Sequence, residues 1–259
     1  MHLQITPHID VALIALNAFF LFFLGLVVYL RREDRREGYP LEDELTGRLE
    51  SAGGPLLTAA PKIFRLSFDR GTVQAPNPGA PREAVDIPGA RRTDRFHGAS
   101  IEPTGNPLVD GIGPAAWADR AKRPDLDWEG QPRIIPISTD AGFFIAKGDA
   151  DPRGFAVVGA DGKVAGKVVD LWVDRADRLI RYLDVELSVG KRVLAPMAMA
   201  TIQGEYHRVS IDAITAAQFA NVPAIAGPDT ITFYEEERIV AYFGGGYLYA
   251  TPDRAEPLL

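Results

Sequence analysis

From Val11 to Leu30 the chain reads VALIALNAFFLFFLGLVVYL, twenty residues with no charge and one strongly polar side chain, Asn17. A helix rises about 1.5 Å per residue, so this stretch spans roughly 30 Å, the thickness of a bilayer's hydrocarbon core. Every backbone polar group in lipid needs a partner, and a helix supplies them all within the segment. Residues 1–10 contain no Lys or Arg, whereas Arg31, Arg32, Arg35 and Arg36 follow the span directly. That asymmetry predicts an N-terminus outside and the bulk of the chain in the cytoplasm. Tyr29 lies where an interfacial aromatic is expected. A cleaved signal peptide requires the opposite charge order and a small-residue cleavage site, and RREDRRE offers neither. A core helix of a soluble protein is seldom apolar on every face for this length. Asn17 either bonds a neighbouring helix or satisfies itself locally, and Gly25 would admit a close helix contact.

The chain has 259 residues, enough for one or two domains with a sizeable core. Its net charge of −7 disfavours a general affinity for nucleic acid. The absence of cysteine removes disulfides, thiolate metal sites, iron–sulfur clusters and cysteine nucleophiles together. The histidines, His2, His8, His97 and His207, form no pair at metal-ligand spacing. Gly111-Ile112-Gly113-Pro114-Ala115-Ala116 has the GxGxxA form of a dinucleotide fingerprint, but no strand leads into it and no βαβ unit follows. Neither GxxxxGK[ST], GxSxG nor HExxH occurs. Pattern alone therefore reaches a membrane-anchored β-rich domain and stops there.

Gly38 and Pro40 are expected to end the helical stretch. Between Pro55 and Pro136 lie twelve of the twenty prolines, which excludes long helices or a continuous sheet. Ile63, Phe64, Leu66, Phe68, Phe96 and Trp117 are spread through it, so the segment reads as an extended one lying over a surface that a partner helps to supply. From Phe143 onward the pattern is one of strands. Lys167–Asp174 and Leu179–Leu187 flank the turn Arg175–Arg178 as an antiparallel hairpin, with Leu183, Val185 and Leu187 facing one way and Asp184 and Glu186 the other. Short strands are predicted at Arg192–Ala195, Ala200–Gln203, His207–Ile211 and Thr230–Tyr234. Ala213–Ala220 reads as a short helix with Asp212 as its N-cap, and Glu235–Phe243 as a helix stopped by Gly244-Gly245-Gly246. The expected fold is mainly β: one N-terminal transmembrane α-helix, an extended proline-rich segment, short helices and a small closed or partly closed barrel.

Several segments together resemble the H subunit of the purple-bacterial photosynthetic reaction centre. They are Arg36-Glu37-Gly38-Tyr39-Pro40-Leu41-Glu42, Asp110–Trp117 (DGIGPAAW), Gly166–Asp174 (GKVVDLWVD), Tyr234-Glu235-Glu236, and Gly244–Ala250 (GGGYLYA). The resemblance runs over nearly the whole chain. It implies a periplasmic N-terminus (1–10), a membrane helix (11–30), a cytoplasmic linker and surface-lying segment (31–142) and a PRC-type β-barrel domain with a C-terminal helix (143–259), in the bacterial inner photosynthetic membrane. It implies a non-catalytic subunit that holds no cofactor of its own and caps the L and M subunits. These carry bacteriochlorophyll, bacteriopheophytin, quinones, carotenoid and a non-haem iron. Antenna polypeptides, a cytochrome subunit and lipids are further candidate partners.

The resemblance also implies help with proton delivery to the secondary quinone. The family places a relay glutamate where Asp177 stands, one methylene shorter. Asp125 and Asp127 match acids near the proton-uptake point, while Glu129 and Gln131 replace the histidines that flank it. Asp174 and Glu236 complete the candidates, against structural readings as a hairpin-shoulder residue and a helix-start acid. Arg181 is expected to pair with acids or with the L and M surface. Two other readings are another membrane-anchored PRC-barrel binding module, akin to ribosome-maturation factors that dock on ribosomal protein but whose solubility the span argues against, and a membrane-anchored enzyme, for which no nucleophile or metal cluster is evident.

Overall fold

The computed structural model describes residues 4–6, 9–36, 43–48, 59–67, 70–77 and 87–255. Gly38, Pro40 and Phe68, named above, lie outside the described residues. The chain divides into two units, Met1–Asp86 with Asp94–Ala99, and Ile87–Thr93 with Ser100–Leu259.

In the first unit a small antiparallel pair, β1 (Gln4–Thr6) and β2 (Ile9–Asp10), runs into α1 (Val11–Glu33). The Asp10 carboxylate accepts from the N–H of Ala12 at 2.9 Å and of Leu13 at 3.3 Å, satisfying two of the helix's free donors. Arg31 and Arg32 occupy the last turn, where the dipole favours cations. No α1 residue is buried, although the helix is long and apolar enough to cross a membrane. A helix with Leu21 71% and Phe22 64% exposed requires lipid or other helices around it. Asn17 Nδ2 donates to the Leu13 carbonyl at 2.9 Å, so its amide is satisfied within the helix. A single 3-10 turn, Asp34–Arg36, follows, and Glu33 there binds both Arg36 and Lys62 at 2.7 Å. Lys62 opens the hairpin β3 (Lys62–Arg65) and β4 (Thr72–Ala75), whose Ile63, Phe64 and Val73 are exposed.

The second unit opens with the hairpin β5 (Ala90–Arg92) and β6 (Ile101–Pro103). A short helix, α2 (Pro107–Asp110), is capped by Asn106 and closed by Gly111 at φ 70°. One seven-stranded sheet follows, made of β7 (Ile134–Pro136), β8 (Ala156–Val158), β9 (Val164–Asp174), β10 (Leu179–Leu187), β11 (Arg192–Pro196), β12 (Thr201–Gln203) and β13 (Arg208–Ser210). Its order is β11-β10-β9-β8-β13-β12, and the eleven residues of β9 are long enough to pair with β8 near their start and β7 at their end. The two outer strands, β11 and β12, are joined by the 3-10 turn Met197–Met199, so the chain itself draws the sheet's ends together. That is the partly closed barrel. Trp172, Leu171, Leu183, Ile211, Phe219, Ile239 and Phe243 form its dry core.

Four local expectations are corrected. Ala216–Asn221 is a 3-10 helix capped by Thr215, not Asp212, because Thr215 and Gln218 complete a reciprocal capping box. Thr230–Tyr234 is not a strand: Thr232 caps α3 (Phe233–Tyr249) and Glu235 completes the box. Asp184 is buried rather than solvent-facing, since Arg192 and the Trp172 indole N–H, at 3.3 Å, bind its carboxylate. Finally, α3 runs through Gly244-Gly245-Gly246 instead of stopping there.

The glycines are packing devices. A Cβ on Gly245 would lie 2.5 Å from Ala115 Cβ, and one on Gly246 would lie 2.2 Å from the Ala213 carbonyl oxygen. Gly111 lies against the Trp117 ring, where a Cβ would come within 2.1 Å. The GxGxxA segment thus serves to seat Trp117 and α3. Gly245→Ala is accordingly expected to cost about 1–3 kcal/mol through overpacking. Gly244→Ala, whose Cβ would meet only Pro114 O at an ordinary 3.7 Å, is expected to be neutral or to gain up to about 1 kcal/mol in helix propensity. Chemical denaturation of the full-length chain in detergent, followed by tryptophan fluorescence, measures both; equal effects would contradict this packing.

Candidate functional site

β7 aligns beside the end of β9, and that register sets the site. Arg133, immediately before β7, bonds through its carbonyl to Arg175 N at 2.8 Å, which brings its side chain to the β9–β10 turn. There Asp174 Oδ1 accepts from Arg133 Nε at 2.9 Å and from the N–H groups of Ala176 and Asp177, both at 3.0 Å. The Arg133 guanidinium also binds Asp177 and lies 3.6 Å from Asp125 Oδ2. One cation therefore serves three acids.

Across a cavity of about 510 Å³ stands Glu236, in the first turn of α3. Glu235 does the capping, which leaves Glu236 free to accept from the Tyr182 hydroxyl at 2.8 Å. Arg120, Arg181 and Glu237 line the same cavity, with Arg120 Nε 3.4 Å from Glu237. Burial pushes the Glu236 carboxyl above the usual range, while the Tyr182 hydrogen bond and Arg181 restrain the rise. Burial acts upward on Asp174 too, but the Arg133 hydrogen bond and the turn's N–H groups outweigh it and hold this carboxyl below the usual range. The Tyr182 hydroxyl is raised by burial and by the adjacent Glu236, so it acts as a donor.

Four of the six expected acids, Asp125, Asp174, Asp177 and Glu236, thus meet at one cavity. Asp127 and Glu129 do not line it. Asp127 closes its own turn, accepting from Glu129 N and Gln131 N at 2.9 Å with Arg175 3.4 Å away, and Glu129 is exposed on that turn. Sequence reading missed Arg133 and Tyr182. Tyr182 follows the expected Arg181 on β10, and strand alternation alone puts it on the opposite face. That this face meets α3 is a matter of tertiary topology. Among the described residues no group of His, Asp and Glu could hold a metal ion.

Residues 3–139 match the family described as photosynthetic reaction centre, H-chain N-terminal region, and residues 145–218 match the PRC-barrel domain. The first match alone covers more than half of the 259 residues. The chain belongs to the reaction centre H-chain family. As an H subunit it is a structural, non-pigment-binding component that associates with the L and M subunits. Its apolar helix fits a single-pass membrane protein. The PRC-barrel match takes in all of the sheet except β7, so the candidate site draws Arg133 from the first matched region, Asp174, Asp177 and Tyr182 from the second, and Glu236 from beyond it.

The two perturbed acids predict opposite pH dependences. Ionised Asp174 stabilises the fold above the ordinary carboxylate pKa of about 3.9, a contribution lost as pH falls through its lowered value. Glu236 is bound more tightly to its proton in the fold, so stability declines as pH rises from about 4.3 through its raised value. Asp174→Asn is expected to cost about 1.5–3 kcal/mol at neutral pH and progressively less below about pH 4. Glu236→Gln is expected to remove part of the decline above about pH 5. Urea titrations of each variant across this range test both signs; a pH-independent Asp174→Asn deficit would contradict the assignment.

Proposed function

We propose that this H subunit caps the quinone-bearing cytoplasmic face of L and M in a purple-bacterial inner membrane, and that its acid cluster passes protons toward the secondary quinone. What supports this orientation, with residues 1–10 periplasmic, is the run of Arg31, Arg32, Arg35 and Arg36 directly after the span. In this reading residues 31–142 lie along the partner surface, residues 143–259 form the cytoplasmic domain, and L and M hold the bacteriochlorophyll, bacteriopheophytin, quinones, carotenoid and iron.

A buried quinone that gains two electrons must also gain protons, because burial alone opposes added charge. A relay needs groups within hydrogen-bond reach that can hold a proton near working pH. The observation that carries the reading is Glu236: a half-buried carboxyl, raised by burial, hydrogen-bonded by Tyr182 and facing the acids gathered by Arg133. Glu236 is the member suited to hold the proton. Asp177, 53% exposed at its side chain, is suited to collect it, and Asp125 shares the Arg133 guanidinium. The exposed Glu129 and the largely buried Asp127 share a turn beside Asp125, at the uptake side in this reading.

Flash spectroscopy on intact reaction centres tests this. Asp177→Asn and Glu236→Gln are each expected to slow proton-coupled transfer of the second electron by about tenfold or more. The first should slow uptake and the second internal delivery, so the double variant should be less than multiplicative. Unchanged kinetics between about pH 6 and about pH 9, the range over which such a relay should matter, would refute the proposal.

A further inference from the structure

α3 carries a cation, Arg238, that no acid among the described residues binds. The Arg238 guanidinium lies 4.9 Å from the centroid of the Trp117 ring and 5.6 Å from that of Tyr234, and Lys122 Nζ lies 5.0 Å over the same Tyr234 ring. Among the described residues neither cation has a carboxylate within ion-pair distance, and Arg238 Nε is shut off from water without a hydrogen-bond partner. By contrast Arg133, Arg175 and Arg192 all bind acids. An unmatched guanidinium that is already half-buried loses hydration and receives only ring attraction in return.

The platform beneath it is fixed before any ligand arrives. Trp117 rests on Gly111. Tyr234 and Arg238 are four residues apart on one helix face. Phe233 N and Tyr234 N donate to Arg123 O and Ala121 O at 3.1 and 3.2 Å, tying the Lys122 segment to the start of α3. Rings against the guanidinium leave its N–H edge as the remaining recognition surface, and that edge matches the two oxygens of a carboxylate. Glu235, Glu236, Glu237 and Asp119 surround the site in sequence, which disfavours a multiply charged phosphate or an anionic bilayer surface more than a single carboxylate.

We propose that Arg238, flanked by Lys122, is the docking point for one carboxylate side chain of a partner subunit, L or M. The proposal rests on membership of the H-chain family and is independent of proton delivery.

The test uses intact reaction centres in native lipid. With the photo-crosslinking residue p-benzoylphenylalanine in place of the exposed Lys122, illumination is expected to join this subunit to an L or M peptide that contains Asp or Glu. An adduct with phospholipid, or no adduct, overturns the proposal. In a second arm, Arg238→Gln is expected to weaken retention of the H subunit under chaotrope about tenfold, as loss of a well-buried Arg contact does. Arg238→Lys should fall between, since it keeps the charge and loses the fork. Retention of Arg238→Gln equal to the parent overturns the proposal. Neither readout measures quinone reduction or proton uptake, so their outcome is separate from that of the relay variants.

Discussion

Three carboxylates within reach of one another repel unless a cation stands between them, and Arg133 is that cation. Its position depends on β7 pairing with the far end of β9, which is possible because β9 extends beyond its pairing with β8. The same guanidinium, together with the turn's N–H groups, holds Asp174 below the ordinary carboxylate range although that residue is almost fully buried. Glu236 is the counterpart on α3. It faces the same cavity without an ion-pair partner among the described residues, and burial moves it the other way. Two carboxyls pushed in opposite directions across one cavity are a suitable arrangement for holding and releasing protons.

The cavity is only as well defined as the seat of α3. That seat is made of small residues: Gly245 against Ala115, Gly246 against the Ala213 carbonyl, and Gly111 under Trp117. Close approach of backbone to backbone fixes the helix in both height and rotation. It points Glu236 into the cavity while Arg238, two residues on, is stacked between aromatic rings. Helix α1 is a separate matter, stabilised through its own hydrogen bonds, the Asp10 cap and the surroundings its apolar surface requires.

The span, the β9–β10 hairpin and most short strands were legible because their signals are local: uninterrupted hydrophobicity in one case and period-two alternation in the others. The glycine run of α3 misled because glycine is both a helix terminator and a means of close packing, and only the neighbour, Ala115 or Ala213, distinguishes the two. Asp184 misled for a similar reason, since alternation assumes that a charged strand residue faces water and takes no account of Arg192 and Trp172. For the site, the acids came from resemblance to the H chains, and the structure brings four of them together. Arg133 and Tyr182 carried no readable signal. Arg133 lies 41 residues from Asp174 and Tyr182 lies 54 residues from Glu236, and no local pattern encodes contacts at such separations.

The most direct measurement is the light-induced infrared difference spectrum of the intact complex on reduction of the secondary quinone. If Glu236 holds a proton that the reaction draws upon, a protonated-carboxyl stretching band appears in the difference spectrum and is absent from Glu236→Gln. A carboxyl region identical in parent and variant would contradict the account, because Glu236 would then keep one protonation state throughout turnover.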